Sequence, residues 1–311
     1  METNLQKKQG KQPATLLSLF ESDLRLLGKR VNIDRTESTY VRRQQLRQYV
    51  ADYVTDSLHV SDVPLQQLSE NFIRDFSVWL STTRQYRSGT IWLACHNLKA
   101  IVSRAYQSGL LSSNPFACFR VSRNIRPRQV LTEEELKLLS SYKIDDAKMA
   151  FHRDLFVFSA LTGMAFADIC HLRPSDIHVV NTQLWVLAKR HKTHTPFQMR
   201  LLPKAIDILC RYQVAGGENT VFGPIVYRTL AKHIPQIVKA CGINKHVTFH
   251  CARHTFAVAA LNAGLPMESI SRILGHANIT TTQLYAKVTL SKLNKDIDLL
   301  TGIFEDNDKK D

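Results

Sequence analysis

Apolar residues in the amino-terminal third of the chain recur every three or four positions, which is the spacing of an amphipathic helix. Polar turns separate these runs, and no alternating pattern typical of a β-strand occurs among them. Residues 14–111 are therefore predicted to form an all-α domain. The clearest runs are Leu16, Leu19, Phe20, Leu24 and Leu27, then Phe72, Phe76, Trp79 and Leu80, and then Ile91, Leu98, Ile101, Val102 and Tyr106.

The periodicity stops in residues 112–131, which contain two prolines, several arginines and no acidic residue. This composition is typical of a linker. Basic side chains in such a connector can follow a phosphate backbone by charge attraction. Arg123, Arg126 and Arg128 are therefore candidate DNA contacts, and a plain solvated connector is the alternative.

A second domain is predicted over residues 132–305. Thr132, followed by three glutamates that end at Glu135, is typical of an N-cap with an acidic first turn. A strongly apolar helix follows and is predicted to end near Thr162 and Gly163. Helices are expected again from residue 204 onward, so the fold class is mainly α.

Two short segments in this domain have the composition of strands. Residues 184–188 and 197–201 flank a polar turn, which predicts an antiparallel β-hairpin. The turn carries Lys189, Arg190 and Lys192. Lys189 and Arg190 at this basic tip are further candidate DNA contacts.

Composition favours the same class of partner. The 311 residues carry a formal charge of +14, which favours nucleic acid but does not by itself distinguish DNA from RNA or from an anionic membrane. Six cysteines occur without a CxxC pair, so neither a zinc ribbon nor a disulfide framework is predicted. The polar amino terminus and the absence of a long apolar run predict a cytoplasmic protein with no membrane segment.

The most informative stretch runs from Thr248 to Val288. His250 and Arg253 are three positions apart, so a helix would present both on one face. A short amphipathic helix is then predicted to end at Gly275, just before His276. Asn278 is expected to cap a further helix that carries Tyr285.

In this order, His-x-x-Arg, Leu-Gly-His and a tyrosine nine residues further on resemble the carboxy-terminal motif of the tyrosine recombinases, also called phage integrases. The resemblance implies a core-binding (SAM-like) domain followed by a catalytic domain of the DNA breaking-rejoining fold, with a small antiparallel sheet. It implies cutting and rejoining of double-stranded DNA through a 3′-phosphotyrosyl intermediate, for integration, excision or inversion of a mobile genetic element. A homotetramer on paired sites in the nucleoid, an accessory DNA-bending or directionality protein, and no metal or other cofactor are also implied.

The residue types suit this chemistry, because transesterification at a phosphodiester needs a nucleophile, an acid for the leaving oxygen and donors to the non-bridging oxygens. Tyr285 is the predicted nucleophile, and Arg253 is the predicted phosphate clamp. His250 and His276 complete the charged cage, and the resemblance makes His250 a candidate proton acceptor for the tyrosine. The resemblance makes Lys192 the predicted general acid, and Lys189 is the alternative.

One position departs from the family pattern. Members usually carry an arginine after Thr-Gly and one hydrophobic residue, and Ala165 occupies that position in this chain. Arg153 is the candidate substitute, and the alternative is an exposed helix arginine that pairs with Asp154 or with solvent. Asp168 matches a carboxylate that braces the site in the family.

Three alternative functions fit parts of this pattern. A catalytically degenerate DNA-binding protein is favoured by Ala165 and opposed by the remaining motif residues. A zinc hydrolase is suggested by the i, i+4 pair of His250 and His254, but Cys251 stands where a metalloprotease needs glutamate. A type IB topoisomerase shares the chemistry, but the short two-domain chain and its Leu-Gly-His spacing favour a recombinase.

Overall fold

The computed structural model describes residues 14–122, 129–212, 220–285 and 297–298. The chain divides into two compact units, Met1–Arg126 and Pro127–Asp311. No helix in the described ranges is both long and apolar enough to cross a bilayer. The linker arginines Arg123, Arg126 and Arg128 lie outside the described residues, as does almost all of the chain after Tyr285.

The first unit is a bundle of four helices in its described part. The helices are α1 (Leu16–Gly28), α2 (Glu37–Leu58), α3 (Glu70–Thr82) and α4 (Ser88–Gln107), and a short 3₁₀ turn at Leu65–Gln67 leads into α3. Each helix turns an apolar face inward, and Phe20, Phe76 and Phe116 are fully buried. The prediction of an all-α unit is confirmed.

An aromatic cluster fixes the interior of this bundle. The ring of Tyr53 on α2 lies 5.3 Å from Phe72 in an edge-to-face arrangement and 5.5 Å from Phe76, measured between ring centroids. Its ring is also 5.7 Å from Trp79. Aromatic pairs at such distances stabilise a core beyond the area they bury.

The second unit begins with three helices. The acidic helix α5 (Glu133–Ser141) is followed by α6 (Ala147–Thr162) and the short α7 (Phe166–Cys170). The predicted N-cap is present and forms a capping box, because the Thr132 hydroxyl accepts from the backbone of Glu135 and the Glu135 carboxylate accepts from the backbone of Thr132. Helix α6 is buried on several faces and ends at Gly163, which has a left-handed φ of 69°.

The sheet has one strand more than the sequence predicted. A 3₁₀ turn (Pro174–Asp176) leads into β1 (Ile177–Val180), and β2 (Gln183–Lys189) and β3 (Pro196–Arg200) complete an antiparallel sheet in the order β1-β2-β3. Strands β2 and β3 are the predicted hairpin. Strand β1 is exposed except for its half-buried first residue, so it lacks the alternation that would have revealed it.

Five helices complete the described part of the second unit, and the first three of them pack on α6. They are α8 (Pro203–Tyr212), α9 (Tyr227–Ala240), α10 (Phe249–Asn262), α11 (Met267–Leu274) and α12 (Thr280–Gln283). The prediction that a helix carries Tyr285 is wrong for the described residues, because α12 ends two positions earlier and Tyr285 lies in the turn that follows. Three consecutive threonines form most of α12, and β-branched residues disfavour helix extension.

Candidate active site

The centre of the site is Arg253, a buried cation on the first turns of α10. Its side chain is folded inward, and the whole residue is only 3% exposed. Nη1 donates to the Gly163 carbonyl at 2.7 Å, and Nη2 donates to the Leu274 carbonyl at 2.6 Å. The ends of α6 and α11 therefore hold this guanidinium from two sides.

The electrostatic surroundings of Arg253 are unfavourable to its charge. Burial, followed by the neighbouring positive charge of Arg190, lowers the pKa of Arg253 to about 10. The group remains protonated near neutral pH. Two neighbouring guanidinium groups in a partly desolvated position would favour an anionic ligand.

Arg190 reaches this position from the beginning of the hairpin turn. Its Nη1 donates to the Leu274 carbonyl at 3.0 Å, the same oxygen that accepts from Arg253. Its Nε lies 3.1 Å from the Asp168 carboxylate. The sequence predicted a DNA contact at an exposed hairpin tip, but the structure turns this side chain inward.

Asp168 joins α7 to the hairpin. Oδ1 accepts from the backbone N–H of His191 at 2.9 Å, and Oδ2 forms the ion pair with Arg190. The ion-pair atoms are close but not aligned, so neither Oδ2 nor Nε completes a hydrogen bond to the described residues. Asp168 thus contacts the hairpin turn through both carboxylate oxygens, and its bracing role stays a prediction.

Tyr285 lies beside the first turns of α10. Its hydroxyl oxygen is 2.6 Å from Nδ1 of His254, and the two ring centroids are 5.3 Å apart. His254 follows Arg253 directly and is buried. The resemblance assigned the proton acceptor to His250, but that residue is exposed, and its ring lies 4.3 Å from His254 by centroid.

The sequence therefore missed His254, which it considered only as a zinc ligand. The available signal was the His-x-x-Arg-His spacing, which places positions 250 and 254 on one helical face. The two side chains differ in burial, since His254 is buried and His250 is exposed. Position 254 points toward the Tyr285 hydroxyl, whereas position 250 lies at the exposed start of the helix.

His276 follows the helix-ending Gly275. Its Nδ1 lies 2.8 Å from the hydroxyl oxygen of Thr282, a fully buried residue of α12. Its backbone N–H donates to the Ser271 carbonyl at 3.0 Å. These bonds hold the Leu-Gly-His segment between α11 and the turn that carries Tyr285.

The two candidate general acids are exposed on the hairpin turn. Lys189 ends β2 and Lys192 lies in the turn, and both side chains face solvent. The turn is closed by the backbone N–H of Arg190, which donates to the Thr195 carbonyl at 2.9 Å. The structure thus brings neither lysine into the buried cage around Arg253.

Arg153 does not reach this site, which corrects the expectation that it substitutes for the missing arginine. Its Nε pairs with Asp154 at 2.6 Å, and its Nη1 donates to the Tyr142 carbonyl at 2.6 Å. It lies about 15 Å along α6 from Gly163 at the usual helical rise. Asp154 also binds Arg211 at 2.6 Å, so Arg153 belongs to a separate structural ion-pair network.

An open cleft of about 1260 Å³ borders the hairpin side of the site. Asp168, Lys189, Arg190 and Arg272 are among the residues that line it, so its charged wall is mostly basic. Arg190 therefore both lines this cleft and neighbours the buried Arg253. No group of three or more His, Cys, Asp or Glu side chains suited to a metal ion occurs within the described ranges.

Two family models match the chain. The model described as the phage integrase family matches residues 129–292, and the phage integrase SAM-like domain model matches residues 15–121. The chain belongs to the phage integrase family. The matches cover both structural units, so the predicted family and its SAM-like amino-terminal domain are confirmed.

Relatives and solved structures agree with this membership. Tyrosine recombinase XerC of Agrobacterium fabrum is 24% identical over 285 residues, which cover 86% of this chain and 88% of the relative. The Tn1549 transposon integrase in complex with a circular intermediate DNA has a TM-score of 0.74 at 20% identity, covering 91% of this chain and 99% of the other. A lambda integrase tetramer bound to a Holliday junction has a TM-score of 0.67 at 18% identity, covering 88% and 78%. These structures confirm the predicted fold of this integrase-family chain.

Proposed function

We propose that this integrase-family protein is a site-specific tyrosine recombinase that cuts and rejoins double-stranded DNA with Tyr285 as its nucleophile. The observation that carries the proposal is the Tyr285 hydroxyl, which lies 2.6 Å from Nδ1 of His254, next to the buried Arg253. The formal charge of +14 supports a nucleic-acid partner. The curated relative XerC carries the name of the same activity.

The proposed reaction begins with attack of the phenolic oxygen on the scissile phosphorus. In the tautomer with its hydrogen on Nε2, His254 accepts the hydrogen bond from the Tyr285 hydroxyl and is placed to take its proton. The new P–O bond to Tyr285 forms as the P–O5′ bond breaks. The product is a 3′-phosphotyrosyl strand and a free 5′-hydroxyl on the other strand end.

The leaving 5′-oxygen needs a proton, and Lys192 is the proposed donor, with Lys189 as the alternative. Both lie on the exposed hairpin turn, where bound DNA would meet them. Arg253 stabilises charge on the non-bridging oxygens. His276 lies in the Leu-Gly-His segment whose Leu274 carbonyl accepts a hydrogen bond from Arg253. Rejoining is the reverse reaction, in which a 5′-hydroxyl attacks the phosphotyrosine and returns Tyr285.

The assembly that we propose is a homotetramer on paired DNA sites, which exchanges strands through a Holliday junction. Lambda integrase, a neighbour in fold, is described in that state. The neighbouring Tn1549 protein is described as a transposon integrase, so we propose a mobile element in the bacterial nucleoid as the setting. Integration, excision and inversion all use this chemistry, and an accessory DNA-bending protein fits the same scheme.

The test is to express the protein in bacterial cells, stop the reaction with denaturant, and sequence the DNA that stays covalently attached. Wild type is compared with Tyr285→Phe, which removes only the nucleophilic oxygen, and with Tyr106→Phe as a matched control on an exposed tyrosine of the first unit. We expect adducts at defined sequences from wild type and the control, and none from Tyr285→Phe.

A catalytically degenerate DNA-binding protein is the second candidate function, and the alanine at position 165 favours it. It predicts reversible DNA binding without adducts from any variant, including on nicked substrates that trap the cleaved strand. That outcome would replace the catalytic function with the binding function.

A further inference from the structure

The recombinase proposed above has only part of its expected phosphate clamp on the helices. Arg253 comes from α10, but Ala165, the residue before α7, has no group that can bind a phosphate oxygen. The transition state spreads negative charge over both non-bridging oxygens, so a single guanidinium leaves much of it uncompensated. A cation that takes the place of the missing arginine would have to come from another element.

We propose that Arg190 of the hairpin is this second phosphate-binding arginine and takes the place of the arginine absent at position 165. The inference rests on the proposed recombinase function and names a further catalytic residue for it. Its first support is position, because Arg190 and Arg253 both donate to the Leu274 carbonyl oxygen. Two guanidinium groups that share one acceptor atom are necessarily neighbours.

The second support is the fixed path of the Arg190 side chain. A Cβ added to Gly275 would lie 2.8 Å from Cγ and 2.9 Å from Cδ of Arg190, so the aliphatic stem packs directly on this glycine. Asp168 lies 3.1 Å from Nε on the other side. The glycine of Leu-Gly-His thus ends α11 and also leaves room for an arginine from a different element.

The third support is the unused binding capacity of the pair. Asp168 is the only carboxylate that pairs with either guanidinium among the described residues, so two positive charges face one negative charge. Nε of Arg190 completes no hydrogen bond within the described ranges, although it is buried. A phosphate next to the pair would supply the missing negative charge.

The competing explanation is that Arg190 is only a structural strut, a residue that links Asp168 to Leu274 and contacts no substrate. The two roles differ in which second change restores activity to a variant that lacks the Arg190 guanidinium. Loss of a phosphate ligand is compensated by an arginine at the position where the family carries one, or by removing the negative charge from the phosphate itself. Neither change repairs a missing strut.

The experiment measures covalent adduct formation by the full-length protein on an oligonucleotide duplex that carries the DNA site recovered from wild-type cells. We compare wild type, Arg190→Ala, Arg190→Lys, and the double variant Arg190→Ala with Ala165→Arg. Arg200→Ala is the matched control, since it removes the same charge from an exposed position of the same hairpin. Thermal melting of every variant reports whether the second unit stays folded.

We expect Arg190→Ala to slow adduct formation about 100-fold or more, as the loss of one transition-state donor typically does. Arg190→Lys keeps the charge and the stem without the planar fork, so a partial loss is expected. The double variant should recover at least about tenfold, and Arg190→Ala should recover likewise on a duplex with a methylphosphonate at the scissile position.

An Arg190→Ala rate within about threefold of the Arg200→Ala control would overturn the inference. So would a large loss that neither Ala165→Arg nor the methylphosphonate duplex restores, because that pattern identifies a strut. A wild-type protein that forms no adduct contradicts the proposed function instead, so the two failures are distinguishable. If Arg190→Ala does not fold, the same comparison is made with Arg190→Lys and its Ala165→Arg double variant.

Discussion

Replacement of Gly163 by alanine should destabilise the second unit and disturb its active site together. Gly163 has a φ of +69°, and a Cβ there would lie 2.7 Å from a Leu274 methyl carbon and 2.7 Å from a Phe256 ring carbon. Both neighbours are buried side chains of α11 and α10. The Gly163 carbonyl also accepts a hydrogen bond from Arg253.

The expected magnitude has two parts. A left-handed conformation costs an L-residue roughly 1–2 kcal/mol. Inserting a methyl group into a packed core costs about 1–3 kcal/mol more. The free energy of unfolding of the second unit should therefore fall by roughly 2–5 kcal/mol.

Gly242→Ala separates the two parts. Gly242 has a similar φ of +75°, but an added Cβ would meet nothing within 4 Å. It carries the backbone cost without the packing cost, and the effect of alanine on the unfolded chain is the same in both variants. We therefore expect Gly163→Ala to be less stable than Gly242→Ala by about 1–3 kcal/mol.

The assay is urea unfolding read by hydrogen exchange and mass spectrometry of peptides from α6 and α10, so that the first unit does not contribute. Equal midpoints for Gly163→Ala and Gly242→Ala would refute the packing argument. Adduct formation should also fall more in Gly163→Ala than in Gly242→Ala, because only the former moves the Arg253 acceptor.

Two further predictions concern His152, a buried histidine of α6, and Gly275, which contacts the Arg190 side chain. Burial, followed by the nearby His233, lowers the pKa of His152 from 6.5 to about 4. Between these values the unfolded chain binds more protons than the folded protein, so the free energy of unfolding decreases as pH falls through this window. His152→Gln should make this decrease smaller by up to about 3 kcal/mol, measured by urea unfolding at pH 7 and pH 4.5. Identical pH dependence in both proteins would contradict this. Gly275→Ala should displace the Arg190 stem and lower adduct formation more than Gly242→Ala does, and equal rates on the trap substrate would show that the stem adapts.

The local elements of this protein could largely be predicted from its sequence. The Thr132 capping box, the end of α6 at Gly163 and the end of α11 at Gly275 all follow from residues within one or two helical turns. The hairpin followed from β-forming residues around a polar turn. Helix α2 was less evident, because its buried side chains form only a narrow stripe, Leu46, Val50, Tyr53 and Val54.

The candidate site also has one part that follows from local sequence and another that depends on contacts between distant elements. The order and spacing of His-x-x-Arg, Leu-Gly-His and tyrosine identified the family and the helix that carries Arg253, because these features are local in the chain. The neighbours of that arginine are not local. The Leu274 carbonyl that it shares with Arg190 belongs to α11, whereas Arg190 comes from the hairpin turn.

Sequence alone thus determined the helices, their ends, the hairpin and the motif, since helix caps and turns depend on side chains a few positions apart. Only the tertiary structure decided that Arg190 approaches Arg253, that His254 contacts Tyr285, and that Arg153 is held by Asp154. A long polar side chain can reach several partners, and the packing of distant elements selects among them. The bare Cα of Gly275 illustrates this, because it ends a helix by local geometry and admits the Arg190 stem only once the hairpin packs on α11.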